Sequence, residues 1–76
     1  MGVLRFHWDF RGPDAKQTAE HFAKHLNEFC AKENIAPNRT WVTGLPVRFI
    51  ATLECDEQHL AIVRDRLRPI RAERVG

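Results

Sequence analysis

The chain contains no serine, and its two cysteines, four glycines and four prolines are scattered. Serine nucleophiles are therefore excluded. No suitable base stands next to Thr18, Thr40, Thr43 or Thr52 in the sequence pattern. Gly2, Gly12, Gly44 and Gly76 never reach the spacing of a phosphate-cradling loop. Cys30 and Cys55 alone make neither a metal set nor a disulfide framework. Both fall at positions that periodicity assigns to the core, and buried free thiols suit a reducing compartment.

Long apolar runs are missing as well. No stretch approaches membrane-spanning length, and the first residues lack the apolar centre of a secretion signal. Phe6 stands where a myristoylation signal wants Ser or Thr. A cytoplasmic location without a membrane partner is the expectation. Neither charge sign dominates: twelve Lys and Arg against ten Asp and Glu leave a formal net charge of +2, too little to imply nucleic acid. At 76 residues the chain has room for one domain, residues 1–76, whose core is thin. A chain of this size buries roughly 60% of the surface exposed on unfolding, and often leans on a partner subunit or other staple.

What is present is strong patterning. Leu4, Phe6, Trp8 and Phe10 alternate with Val3, Arg5, His7, Asp9 and Arg11, the period of a strand with one dry face and one wet face. Gly12-Pro13 ends it, and Asp14 is placed to cap a helix through its carboxylate. Ala19, Phe22, Ala23, Leu26, Phe29 and Cys30 form an apolar stripe, so the spacing predicts a helix from about Ala15 to Glu33, closed by Asn34 and Pro37. Arg39 to Thr43 predicts a short strand, Gly44-Leu45-Pro46 a turn, and Val47 to Cys55 a further strand. In that strand Val47, Phe49, Ala51, Leu53 and Cys55 share the dry side, and Arg48, Ile50, Thr52 and Glu54 the wet one. A second helix is expected from Asp56 to just before Pro69 on a stripe of Leu60, Val63 and Leu67. Ile62 falls nearly opposite that stripe. Residues 70–75 complete the set as a fourth strand.

The order strand, helix, strand, strand, helix, strand is the ferredoxin-like βαββαβ pattern, an α+β two-layer sandwich with two helices on one face of an antiparallel sheet. Right-handed crossovers put the first and third strands at its centre. If residues 70–75 are not a strand, the fold falls back to βαββα with an edge to be covered, and dimerisation is one way to cover it.

Three constellations could carry function. The first is an interaction surface on the wet sheet face or its edge, with Val3, His7 and Ile50 as contacts and Ile62 exposed or otherwise covered. It implies a homodimer and a non-catalytic module. The second is arginine: nine of the twelve basic residues, of which Arg5, Arg11, Arg48, Arg64, Arg68 and Arg71 are candidates for nucleic-acid or anion binding. Asp65 and Glu73 lie among the C-terminal arginines, and the wet face of the central strands lacks aromatics for base stacking, so nucleic acid is the less favoured partner. The third is the pair His21 and His25, one helical turn apart, with Glu28 a turn further on; this spacing suits a transition metal. Phe22 replaces the glutamate of a zinc-protease helix. His7 and Asp9 share a face and could exchange protons, but no nucleophile or pocket accompanies them. No catalytic set and no cofactor are expected.

Overall fold

Strict alternation produces β1 (Val3–Phe10) in the computed structural model, which describes residues 2–75. Its Leu4, Phe6 and Trp8 are buried, as the period-two pattern requires. The chain continues through α1 (Ala15–Lys32), β2 (Asn38–Leu45), β3 (Arg48–Asp56), a 3-10 turn (Glu57–His59), α2 (Leu60–Leu67) and β4 (Arg71–Val75). The four strands form one antiparallel sheet in the order β2-β3-β1-β4. Residues 71–75 do form a strand, so the βαββαβ arrangement of a ferredoxin-like sandwich holds and the βαββα fallback does not apply. Among the described residues no helix is long and apolar enough to cross a membrane.

One layer of side chains joins the sheet to the helices. Leu4, Phe6 and Trp8 of β1 and Ala51, Leu53 and Cys55 of β3 meet Leu26 and Cys30 of α1 and Val63 of α2. Phe22 lies with its ring 5.1 Å from that of Trp8 and 5.5 Å from that of Phe10, tilted in both cases as aromatic quadrupoles favour. Asn34 ends α1 in the left-handed conformation, φ 59°. Ile35 then folds back, donating its N–H to the Cys30 carbonyl at 2.9 Å and burying its side chain, the hydrophobic contact of a Schellman-type stop.

Local chemistry departs from expectation at several points. Asp14 precedes α1, but its carboxylate caps no N–H; the Asp14 carbonyl accepts from Thr18 instead, and the Gly12 carbonyl accepts from Ala15. Gly44 is not in the turn. It lies in β2 opposite Phe49, whose ring comes so close that a Cβ on residue 44 would sit 2.8 Å from it. The hairpin therefore turns at Pro46-Val47, and Val47 is 71% exposed rather than core-facing. Asp56 caps the 3-10 turn, accepting from the Gln58 N–H at 2.8 Å, and α2 begins only at Leu60. The buried face of α2 is rotated accordingly: Leu60 is exposed, while Ile62 is partly buried against the core beside Val63 and Leu67.

Candidate interaction face

Both helices cover the same side of the sheet, so the residues of opposite parity form a second face with no element over it. The strand register arranges that face in rows running across the sheet from β4 to β2. One row is Glu73, Arg5, Glu54 and Arg39; the next is Arg71, His7, Thr52 and Trp41; then come Asp9, Ile50 and Thr43. Val75, Val3 and Asp56 share the row at one end.

Ion pairs knit these rows together. The Arg5 Nε donates to Glu54 at 2.8 Å, and Arg39 approaches the other oxygen of the same carboxylate at 3.5 Å. Asp9 accepts from both Arg48 and Arg71, each at 3.1 Å. Off this face, on the side of Leu4, Glu57 accepts from Arg74 and from the Gly2 N–H. The Arg74 hydrogen bond comes first among the causes that hold the Glu57 carboxyl below its ordinary range. Glu54 and Asp9 thus each have two guanidiniums close by.

The centre of the face is dry. Thr52 is 1% exposed and Ile50 8%, although no helix lies over them. In its row Thr52 stands between His7 and Trp41, and Ile50 between Asp9 and Thr43. His7 bridges this centre to the edge, its Nε2 lying 2.8 Å from Glu73 and its Nδ1 2.9 Å from the Thr52 hydroxyl. A carboxylate can only accept, so Nε2 carries a proton; in the neutral ring the Thr52 hydroxyl then donates to Nδ1.

This is a correction to the sequence reading, which found no base beside any threonine. The carboxylate–imidazole–hydroxyl chain has the connectivity of a nucleophilic triad. Its hydroxyl is sealed from solvent, however. The shallow cavity of about 200 Å³ on this side is lined by Val3, Pro37, Asn38, Arg39, Glu54, Cys55 and Asp56, and neither His7 nor Thr52 borders it. The chain of hydrogen bonds satisfies a buried polar group, as burial demands.

Trp41 is the residue that sequence reasoning missed. It stands half-buried on the open face of edge strand β2, with the guanidinium carbons of Arg5 and Arg39 at 5.4 and 5.3 Å from its ring centroid. Both distances are within cation–π range. The signal was present in the alternation of β2: Thr40 and Val42 face the helices, leaving Arg39, Trp41 and Thr43 outward.

The remaining candidates divide as follows. Arg5, Arg48 and Arg71 are on the open face and paired, whereas Arg64 pairs with Asp65 on α2, away from them. Arg11 and Arg68 are exposed with no carboxylate partner among the described residues. Val3 is exposed at the end of the face, His7 is mostly covered and Ile50 is buried; Ile62 belongs to the other side. His21 and His25 do meet, with Nε2 atoms 3.0 Å apart. Glu28 does not join them as a third ligand; it lies 3.6 Å from the far nitrogen, Nδ1, of His25. No group of three metal-ligating side chains occurs among the described residues.

Comparison with family models, with curated proteins and with solved structures finds no match to this chain.

Proposed function

We propose that this chain is a non-catalytic interaction module that forms a homodimer through the open face of its sheet. The observation that carries this reading is the alternation of charge in the row Glu73, Arg5, Glu54, Arg39. A two-fold axis lying along the strands between β1 and β3 reverses the order of that row in the second copy. Every carboxylate then faces a guanidinium: Glu73 opposite the partner's Arg39, and Arg5 opposite the partner's Glu54. In the adjacent row the same axis brings Trp41 over the partner's Arg71. Such an isologous contact is self-complementary by construction.

The charge balance favours a second copy over a polyanion. Four guanidiniums (Arg5, Arg39, Arg48, Arg71) stand against four carboxylates (Asp9, Glu54, Asp56, Glu73), and most are already paired. Covering the face therefore strands little uncompensated charge, the usual penalty for burying ionic groups. Trp and Arg are also the side chains that most often dominate binding energy at interfaces. Free, buried cysteines fit the reducing interior of a cell.

Sedimentation velocity over micromolar to millimolar concentrations tests the proposal. A monomer–dimer equilibrium is expected, weakened about 30-fold or more by Trp41→Ala, the loss typical of an aromatic hot spot. Glu73→Arg and Arg39→Glu should each weaken it, and the double swap should restore it. A strict monomer at high micromolar concentration, or a dimer indifferent to these changes, overturns the reading.

Trp41 favours a second reading, single-stranded nucleic acid stacked on its ring and held by the neighbouring arginines. It requires binding of an oligonucleotide at low ionic strength that falls steeply with added salt and is lost in Trp41→Ala.

A further inference from the structure

We propose that His21 and His25 form a two-nitrogen site on α1 for a tetragonal divalent transition-metal ion, with Cu²⁺ preferred and Ni²⁺ next. The two residues are one turn apart on an exposed helix face, their rings 4.6 Å apart centroid to centroid and their Nε2 atoms 3.0 Å apart. Metal–imidazole bonds are about 2.0–2.1 Å long. Two nitrogens at this separation, each at that distance from one ion, subtend about 94° at it. That is the cis angle of a square-planar or octahedral ion. A tetrahedral ion such as Zn²⁺ needs about 109°, which would push the nitrogens to about 3.3 Å.

Glu28 has a role here that the helix spacing alone does not reveal. Its carboxylate lies 3.6 Å from Nδ1 of His25, the nitrogen turned away from His21. A carboxylate there favours the tautomer with the proton on Nδ1, which leaves the Nε2 lone pair free for a metal. Glu28 is thus a positioning residue rather than a ligand. Without metal, the 3.0 Å contact is a hydrogen bond in which the Nε2–H of His21 donates to Nε2 of His25. Coordination replaces it: the proton on His21 exchanges through solvent to Nδ1, and both Nε2 lone pairs bind the ion. No net proton is released. A surface depression lined by Asp14, Gln17, Thr18 and His21 leaves room beside the pair for the waters that complete the coordination.

Geometry and the general affinity order act in the same direction. Divalent first-row ions bind nitrogen sites in the order Ni²⁺ below Cu²⁺, with Zn²⁺ also below Cu²⁺, and tetragonal nitrogen and oxygen sets are typical of Cu²⁺ and Ni²⁺.

The test is titration of the full chain with CuCl₂, NiCl₂ and ZnCl₂ by calorimetry, with electron paramagnetic resonance of the copper form. An axial copper spectrum with coupling to two imidazole nitrogens is expected, with Cu²⁺ bound at least about tenfold more tightly than Zn²⁺. His21→Ala and His25→Ala should each lower copper affinity at least about tenfold and leave coupling to one nitrogen. Glu28→Gln should lower it by about tenfold at most, the lower end for outer partners of ligating histidines, while retaining both nitrogens in the spectrum. All three positions are exposed on a long helix, so circular dichroism should report a fold unchanged in each variant. Copper binding that persists in the His21→Ala, His25→Ala double variant, or Zn²⁺ bound as tightly as Cu²⁺, overturns the proposal.

Discussion

Cys30 and Cys55 face each other's elements across the core, Cys30 from α1 and Cys55 from β3, and both are buried and free. Burial pushes both thiols up, since a thiolate loses hydration there. For Cys55 the shift reaches about 11 from an ordinary 9.0, with the charges of Cys30 and Asp56 adding to the desolvation. The consequence for stability has a definite sign. In the folded chain Cys55 holds its proton to higher pH than in the unfolded chain, so its contribution is fully present below pH 9.0 and is lost as pH rises toward about 11. Urea melts from pH 8 upward should show the wild type losing stability more steeply than Cys55→Ala between those values. Parallel curves would mean that the thiol titrates alike in both states.

Thr52 and Trp41 show where single residues escape a reading by pattern. A threonine on the wet side of a central strand is expected to be wet, yet it is sealed by its neighbours and bonded to His7. Trp41 follows the alternation of β2, a strand of eight residues where only Arg39 to Thr43 was expected, and its pairing with Thr52 sets the neighbours it stands among.

Among the elements, α2 depends most on a single tether. It has only eight residues, and its closing turn places Arg68 in the left-handed region at φ 50°. The buried indole of Trp8 donates to the Leu67 carbonyl at 2.8 Å, tying the last turn of this helix to the central strand. Removing that donor in Trp8→Phe should cost about 1 kcal/mol, the net worth of one such bond. For a domain of this size the midpoint of thermal melting should fall by about 4–8 °C. An unchanged midpoint would show that the bond adds nothing beyond the packing of the ring.

The long elements were the legible ones. β1 and α1 follow from eight residues of alternation and a helical stripe with a left-handed stop, and they occur with nearly the expected bounds. The β2–β3 hairpin and α2 were less so. Gly44 reads as a turn residue by propensity, but in the sheet its missing side chain makes room for the Phe49 ring. Asp56 is a good cap in either helix type, and only packing decides that the first turn is 3-10.

Across the whole molecule, stability should grade outward from the two central strands. β1 and β3 carry Phe6, Ala51 and Leu53, all at 0% exposure, and each is paired on both sides. β4 is different: it has five residues, all exposed except Val75, and is held to β1 by the strand ladder, the Ile70 N–H on the His7 carbonyl and the pairs made by Arg71 and Glu73. Amide hydrogen exchange should therefore be slowest in β1 and β3 and fastest, among the strands, in β4. Equal protection across all four strands would contradict this gradient. At millimolar concentration, extra protection at the outer atoms of β2 and β4 without loss of the ladder would be the mark of an edge contact rather than the face contact proposed above.

The sequence by itself determined the dry sides of β1 and α1, because periods of two and 3.6 state which side of each must be covered, whereas the fourth strand was decided by its pairing with β1. It also determined the His21–His25 meeting, since residues four apart on a helix are neighbours whatever surrounds them. Tertiary structure alone decided the open face. Which arginine pairs with which carboxylate, that His7 joins Glu73 to Thr52, and that Trp41 sits between Arg5 and Arg39 all depend on strand register, and register is a property of residues as far apart in the chain as Val3 and Val75. Alternation specifies a strand's face but not its neighbours, and it is the neighbours that give this surface its pattern of charge.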